Sequence, residues 1–257
     1  MPSKHWGQNF LIDANITAKI AVAARELSGA SATQCFEIGA GTGNLTAALL
    51  AQNFKIIAVE KDTRLIARLS DRFTNSPVQV LQADVLTQTV PANVPLCVGN
   101  LPYSITTDIL MWFKNQRCPR ALFMVQKEFA ERLVAKPCTS DYGRISVLMQ
   151  LLFNMKILFA VSANCFRPKP KVSSVVMSYV ALPTVFNSAL EEYNFERFTH
   201  MLFHVGNKTL AKISKMYGFN VAQNLAARRA RTLTPNEIKS LFIKVSKDTQ
   251  KFNQTHI

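Results

Sequence analysis

Gln34-Cys35-Phe36-Glu37-Ile38-Gly39-Ala40-Gly41-Thr42-Gly43 is the stretch that decides the fold of this chain. Its first half reads as a short apolar strand over 34–38; three alternating glycines then open a helix over 44–52. Glycines at a strand-to-helix turn let a ligand approach the backbone closely, and a helix N-terminus favours a carboxylate or phosphate. The spacing is G-x-G-x-G, not the G-x-G-x-x-G of nicotinamide and flavin enzymes, which counts against an oxidoreductase.

Outward from this turn, short apolar runs alternate with helical patterns. Strands are expected over 55–59, 78–82, 96–98, 121–125, 157–161 and 175–180, with helices over 63–73, 106–115 and 128–135. Upstream, Asp13 is placed to cap a helix carrying Ile16, Ile20, Ala24 and Leu27 at helical spacing. The alternation predicts an α/β fold with a mostly parallel, doubly wound, Rossmann-like sheet. From Phe195 onward the pattern changes to short helices, which predicts a small all-helical C-terminal domain. The expected division is an arm over 1–12, a catalytic domain over 13–183, and a helical domain with a polar tail over 184–257.

The chain has 257 residues and a formal net charge of +14, which favours a polyanionic partner, nucleic acid first. Residues 183–257 hold 11 Lys and Arg against 5 Asp and Glu, so the C-terminal part is the more densely basic. Five cysteines, with no C-x-x-C pair, suggest free thiols in a reduced, cytoplasmic protein. The apolar region over 145–166 is interrupted by Gln150, Asn154 and Lys156, so it belongs to a core and no membrane span is expected. His200 and His204 stand four apart without the Glu or Cys that a metal site would add, and no metal is expected.

Doubly wound sheets bind ligands at the carboxyl ends of their strands, and the polar motifs fall there. Glu60 ends the second strand, where it can accept from two ribose hydroxyls; Asp84 ends the third, where it suits an adenine amino group. Each also has an ordinary reading, as a solvated Glu and a helix-capping Asp. Together with Gly39 and Gly41 they describe an adenosine-containing ligand that needs no pyrophosphate. Asn100-Leu101-Pro102-Tyr103 follows the strand over 96–98. The Asn100 side-chain oxygen and the Leu101 carbonyl can accept from an exocyclic amine, Pro102 stiffens the turn, and Tyr103 offers a stacking face. Nothing in that segment is a strong base. The chemistry it suits is attack by a weak nitrogen nucleophile on an already activated electrophile.

The chain resembles the KsgA-type ribosomal RNA adenine dimethyltransferases. The resemblance runs through Gly7-Gln8-Asn9-Phe10-Leu11, the glycine turn, Glu60-Lys61-Asp62, Gly99-Asn100-Leu101-Pro102-Tyr103 and Gln126-Lys127-Glu128. It continues in Tyr142-Gly143-Arg144-Ile145-Ser146-Val147 and in Phe166-Arg167-Pro168-Lys169-Pro170-Lys171-Val172-Ser173-Ser174, and so spans nearly the whole chain. It implies S-adenosyl-L-methionine as cofactor, held by Asn9, Leu11, Gly39, Gly41, Glu60, Asp84 and Asn100. It implies that Asn100 and Leu101 hold the target amine while Tyr103 and Phe166 sandwich the adenine. It further implies dimethylation of two adjacent adenosines in a hairpin near the 3′ end of small-subunit rRNA, within an assembling subunit, by a monomer. Ala40 stands where the family often has Pro, and His204-Val205-Gly206-Asn207-Lys208-Thr209 is less basic than the family's arginine-rich version. The alternatives are a macrolide-resistance methyltransferase of large-subunit rRNA and a non-catalytic ribosome-assembly factor.

Overall fold

The computed structural model describes residues 9–29, 32–116 and 118–248. Gly7, Gln8 and most of the expected arm and polar tail lie outside the described residues. The chain divides into two units, one from Met1–Ala130 with Asn154–Ala181, the other from Glu131–Phe153 with Leu182–Ile257. The sequence suggested one boundary at residue 183, which would have left 131–153 in the first unit.

The first unit runs β1 (Phe10–Leu11), α1 (Ala14–Ser28), β2 (Gln34–Ile38), α2 (Asn44–Ala51), β3 (Lys55–Glu60), α3 (Thr63–Arg72), β4 (Val78–Gln82), β5 (Cys97–Asn100), α4 (Thr106–Lys114) and β6 (Arg120–Gln126). α5 (Lys127–Leu133) leads into the second unit, which contributes α6 (Arg144–Leu152). The chain returns through β7 (Phe153–Val161), β8 (Phe166–Arg167) and β9 (Ser174–Ala181). Seven strands form one sheet in the order β4-β3-β2-β5-β6-β9-β7. β4 through β6 pair in parallel, while β9 runs antiparallel to β6 from Arg120↔Val180 to Gln126↔Ser174.

Burial on both faces explains why the central strands read as continuous apolar runs rather than alternating ones. Phe36, Ile38, Val98 and Leu122 are all 1% exposed or less. α1 begins where Asp13 accepts from the N–H groups of Asn15 and Ile16, satisfying donors that the first turn leaves free. Its buried stripe of Ile20, Ala21 and Ala24 joins the core. The sheet order reverses between β2 and β5. That reversal opens a crevice beyond the carboxyl ends of these two strands.

In the second unit, α6 is followed after the return by α7 (Ala189–His204), α8 (Leu210–Tyr217), α9 (Gln223–Ala226) and α10 (Pro235–Asp248). A capping box opens α10: Glu237 accepts from the Thr234 N–H, and the Thr234 hydroxyl accepts from the Glu237 N–H. Tyr142 is buried and donates to the Leu233 carbonyl at 2.8 Å. The sequence suggested no helix over 144–152, a mainly apolar run with Arg144, Ser146 and Gln150 as its polar residues, whose period is hard to tell from that of a buried strand. None of the described helices is long and apolar enough to cross a membrane.

Phe166 sits beside the arm. The expected stacking partner for a base is 2% exposed and packs in the core, opposite Leu11 in the β1–β8 pair. Phe166→Ala is expected to cost about 3–5 kcal/mol of stability, the usual loss for a buried phenylalanine, as read by urea unfolding.

Candidate active site

A cavity of about 200 Å³ lies beyond the carboxyl ends of the parallel strands. The structure brings nine of the expected site residues together on its walls: Asn9, Gly39, Gly41, Glu60, Asp84, Asn100, Leu101, Pro102 and Tyr103. Leu11 and Phe166 are not among the lining residues. Leu11 instead shapes the arm: its side chain is in the core and its carbonyl accepts from Asn44 Nδ2 at 2.9 Å.

The glycine turn is held to the end of β3. Gly39 and Ala40 donate to the Val59 carbonyl, and Gly41 donates to Glu60 Oε2 at 2.8 Å. Glu60 Oε1 accepts from the N–H groups of Lys61 and Asp62, each at 2.8 Å. A carboxylate that is only 4% exposed therefore receives three backbone donors. Two of the glycines stand in crowded surroundings as well as at positive φ. Gly41 has φ +58°, and a Cβ there would meet the Phe10 ring at 3.2 Å; Gly43 has φ +79°, and a Cβ there would stand 2.7 Å from Phe73.

Asp84 has two roles. Its Oδ1 accepts from the Leu86 N–H and caps a short 3₁₀ turn, and its Oδ2 pairs with Lys61 Nζ at 2.7 Å. The Lys61 ammonium holds the Asp84 carboxyl below its ordinary range. Sequence reasoning assigned no role to Lys61 or Phe10, although both line the cavity and both lay inside motifs already singled out. What was missing was their partners, Asp84 and Gly41, which are far away along the chain.

Asn100 Nδ2 donates to the Asn9 carbonyl at 3.0 Å. The amide's donor faces the arm, so the atom remaining for a ligand is the acceptor Oδ1. The Pro102 carbonyl is taken by the Ile105 N–H and the Thr106 hydroxyl. Among the described residues, Asn100 Oδ1 and the Leu101 carbonyl are the acceptors of this segment that an exocyclic amine could meet. Tyr103 is half-buried and its phenol is bonded to Ser174 Oγ at 2.5 Å; burial raises its pKa, with that bond opposing the rise, so it stays neutral. An adenosine-bearing ligand fits these residues. Acidic acceptors stand at two strand ends, and the apolar side chains of Ile38, Val59, Val85 and Ile109 wall the space between them. Among the described residues there is no group of three or more side chains able to hold a metal.

Glu37 lies under the turn and outside the cavity lining. It is 1% exposed, and neither its Oε2 nor the Thr46 hydroxyl has a hydrogen-bond partner among the described residues. Burial pushes its pKa from 4.5 up to about 8; the Thr46 hydroxyl, close by but outside bonding geometry, opposes the rise, and Glu60 adds to it. The unfolded chain gives up this proton near 4.5 while the folded one keeps it to about 8. Stability therefore falls as pH rises between those values and is level above them. Glu37→Gln is expected to flatten that decline in urea unfolding series. Glu60→Ala, which leaves three backbone donors without their acceptor, is expected to cost about 1–3 kcal/mol without any ligand present, by the same measurement at fixed pH.

Comparison with known proteins supplies the family. Residues 3–251 match the model of the family described as ribosomal RNA adenine dimethylase. Two similar proteins are named Ribosomal RNA small subunit methyltransferase A. The one from Chlorobium chlorochromatii is 38% identical, covering 93% of this chain and 92% of its own; the one from Thermotoga maritima is 36% identical, covering 94% and 84%. Among solved structures, a dimethyladenosine transferase from Plasmodium falciparum superposes with a TM-score of 0.79 at 24% identity, over 93% of this chain and 98% of that one. The 23S rRNA methyltransferase ErmE superposes with a TM-score of 0.69 at 25% identity, over 93% and 100%. With a family match across almost the whole length, and relatives 36–38% identical over more than nine-tenths of it, the chain belongs to the ribosomal RNA adenine dimethylase family.

Proposed function

We propose that this cavity holds S-adenosyl-L-methionine and that the protein dimethylates N6 of two adjacent adenosines near the 3′ end of small-subunit rRNA. It acts as a monomer on an assembling small subunit in the cytoplasm. The observation that carries the reading is the orientation of Asn100: its donor is engaged by Asn9 and its acceptor is left for an amine. Support for the small-subunit target comes from relatives with that name at 36–38% identity, against 25% for the large-subunit enzyme.

When bound, the cofactor supplies an activated methyl group on a sulfonium. Glu60 and Asp84 are the groups to receive its ribose and adenine, and Asn9, Gly39 and Gly41 border it; Leu11 acts through the arm. The protein's task is then to prepare the nucleophile. An adenine N6 lone pair is conjugated into the ring and is a poor nucleophile. Asn100 Oδ1 and the Leu101 carbonyl, accepting from its two hydrogens, draw the nitrogen toward tetrahedral geometry and free the lone pair. Tyr103 holds the base by its face. Placement and fixed dipoles supply most of the rate, and the released proton passes to water. The target must be unstacked, which costs least in a loop. The second unit, with its denser basic charge, is the part expected to contact RNA.

Nucleoside mass spectrometry tests this after incubation with S-adenosyl-L-methionine and unmethylated small-subunit particles, large-subunit rRNA running alongside. Dimethyladenosine on the small-subunit substrate alone is the expected result; modification of the large-subunit RNA, or of neither, would overturn it. Asn100→Ala is expected to abolish methyl transfer while changing cofactor affinity by no more than about tenfold, or about 1.4 kcal/mol, measured by calorimetry.

A further inference from the structure

We infer that Ser174 is a positioning residue for the target base, acting through Tyr103, and that the Ser174–Tyr103 bond governs how completely the second methyl group is added. The inference rests on the proposed adenine-N6 chemistry.

The segment that grips the base is pinned at two points on adjacent strands. As the chain leaves β5, the Leu101 N–H donates to the Met124 carbonyl of β6 at 3.1 Å. Two residues later the Tyr103 phenol meets Ser174 Oγ, at the start of β9, at 2.5 Å. β6 and β9 are themselves paired, with Gln126 opposite Ser174, and the Lys127 N–H donates to the Ser173 carbonyl just before it. Ser174 is 0% exposed, so its hydroxyl is carried by a fully buried residue of the sheet. A tyrosine has two side-chain torsions. Tying its far end to a buried strand restricts both and fixes the plane of the ring at the cavity wall. The same bond occupies the phenol, so Tyr103 acts on the base through its face.

The consequence differs between the two methyl transfers. An unmodified amine offers two hydrogens to Asn100 Oδ1 and the Leu101 carbonyl, and these orient the base by themselves. A monomethylated amine offers one. Its orientation then depends more on the stacking face, and so on whatever holds that face still. Loss of the Ser174 bond therefore slows the second transfer more than the first.

The experiment compares wild type, Ser174→Ala, Tyr103→Phe and the double variant, all as full chains with small-subunit particles. Melting curves and cofactor dissociation constants are taken for each. Ser174→Ala is expected to slow the second transfer by about fivefold, the scale of one hydrogen bond, with N6-monomethyladenosine accumulating. Tyr103→Phe should reproduce it, and the double variant should be no worse than either single one, since both delete the same bond. A wild-type ratio of mono- to dimethyl product in Ser174→Ala, or losses that multiply in the double variant, would overturn the inference. Should Ser174→Ala fail to fold, Tyr103→Phe removes the same bond from the less buried side, and a wild-type ratio there would be equally fatal. Absence of dimethyladenosine from the wild-type reaction would instead overturn the functional reading beneath it.

Discussion

One carboxylate holds the ligand end of the sheet together. Glu60 stands at the tip of β3 and takes N–H groups from the glycine turn after β2 and from the two residues that follow it in its own chain. Two strand ends that would otherwise carry free backbone donors become one rigid rim. Buried backbone groups must be paired somewhere, and here a side chain does it. The positive φ of Gly41 follows from the same geometry, since the turn must bring its N–H to Glu60.

The rest of the site is layered on that rim. Phe10 closes over Gly41, which fixes the arm, and the arm's Asn9 carbonyl in turn orients Asn100. The arm is tied down independently by Asn44 on the Leu11 carbonyl and by the Ile12 N–H on Cys165. The two halves of the site, the adenosine side near Glu60 and Asp84 and the amine side near Asn100 and Tyr103, are thus joined through residues 9–12. A change on one side reaches the other through one short strand. Ligand sites work best when their polar groups are held by packing and by further hydrogen bonds, and this one uses both.

Several of these groups do two things at once. Glu60 borders the cavity and also latches a loop; Asp84 borders it and also caps a turn and pairs with Lys61. The ordinary and the functional readings of a residue are therefore not rivals here. A carboxylate has about four lone-pair positions, enough to serve the fold and still meet a ligand.

Much was legible in the chain itself. The strand and helix periods, the glycine spacing and the acidic residues closing β3 and β4 are local patterns, and local sterics and burial write them directly into sequence. Nine site residues, expected from such patterns, from the segment after β5 and, for Asn9, from the family resemblance, line one cavity. What only the tertiary structure decided are the contacts between segments far apart in sequence. Phe166 packs in the core opposite Leu11, a pairing that its motif does not announce. α6 is mainly apolar, which masks its period, and the place of 131–153 in the second unit is set by packing and not by spacing along the chain. Asn100 with Asn9, Lys61 with Asp84, and Tyr103 with Ser174 are each separated by tens of residues. A hydrogen bond depends on angstroms between atoms, and for such pairs it is the packed sheet, not the spacing along the chain, that sets the distance.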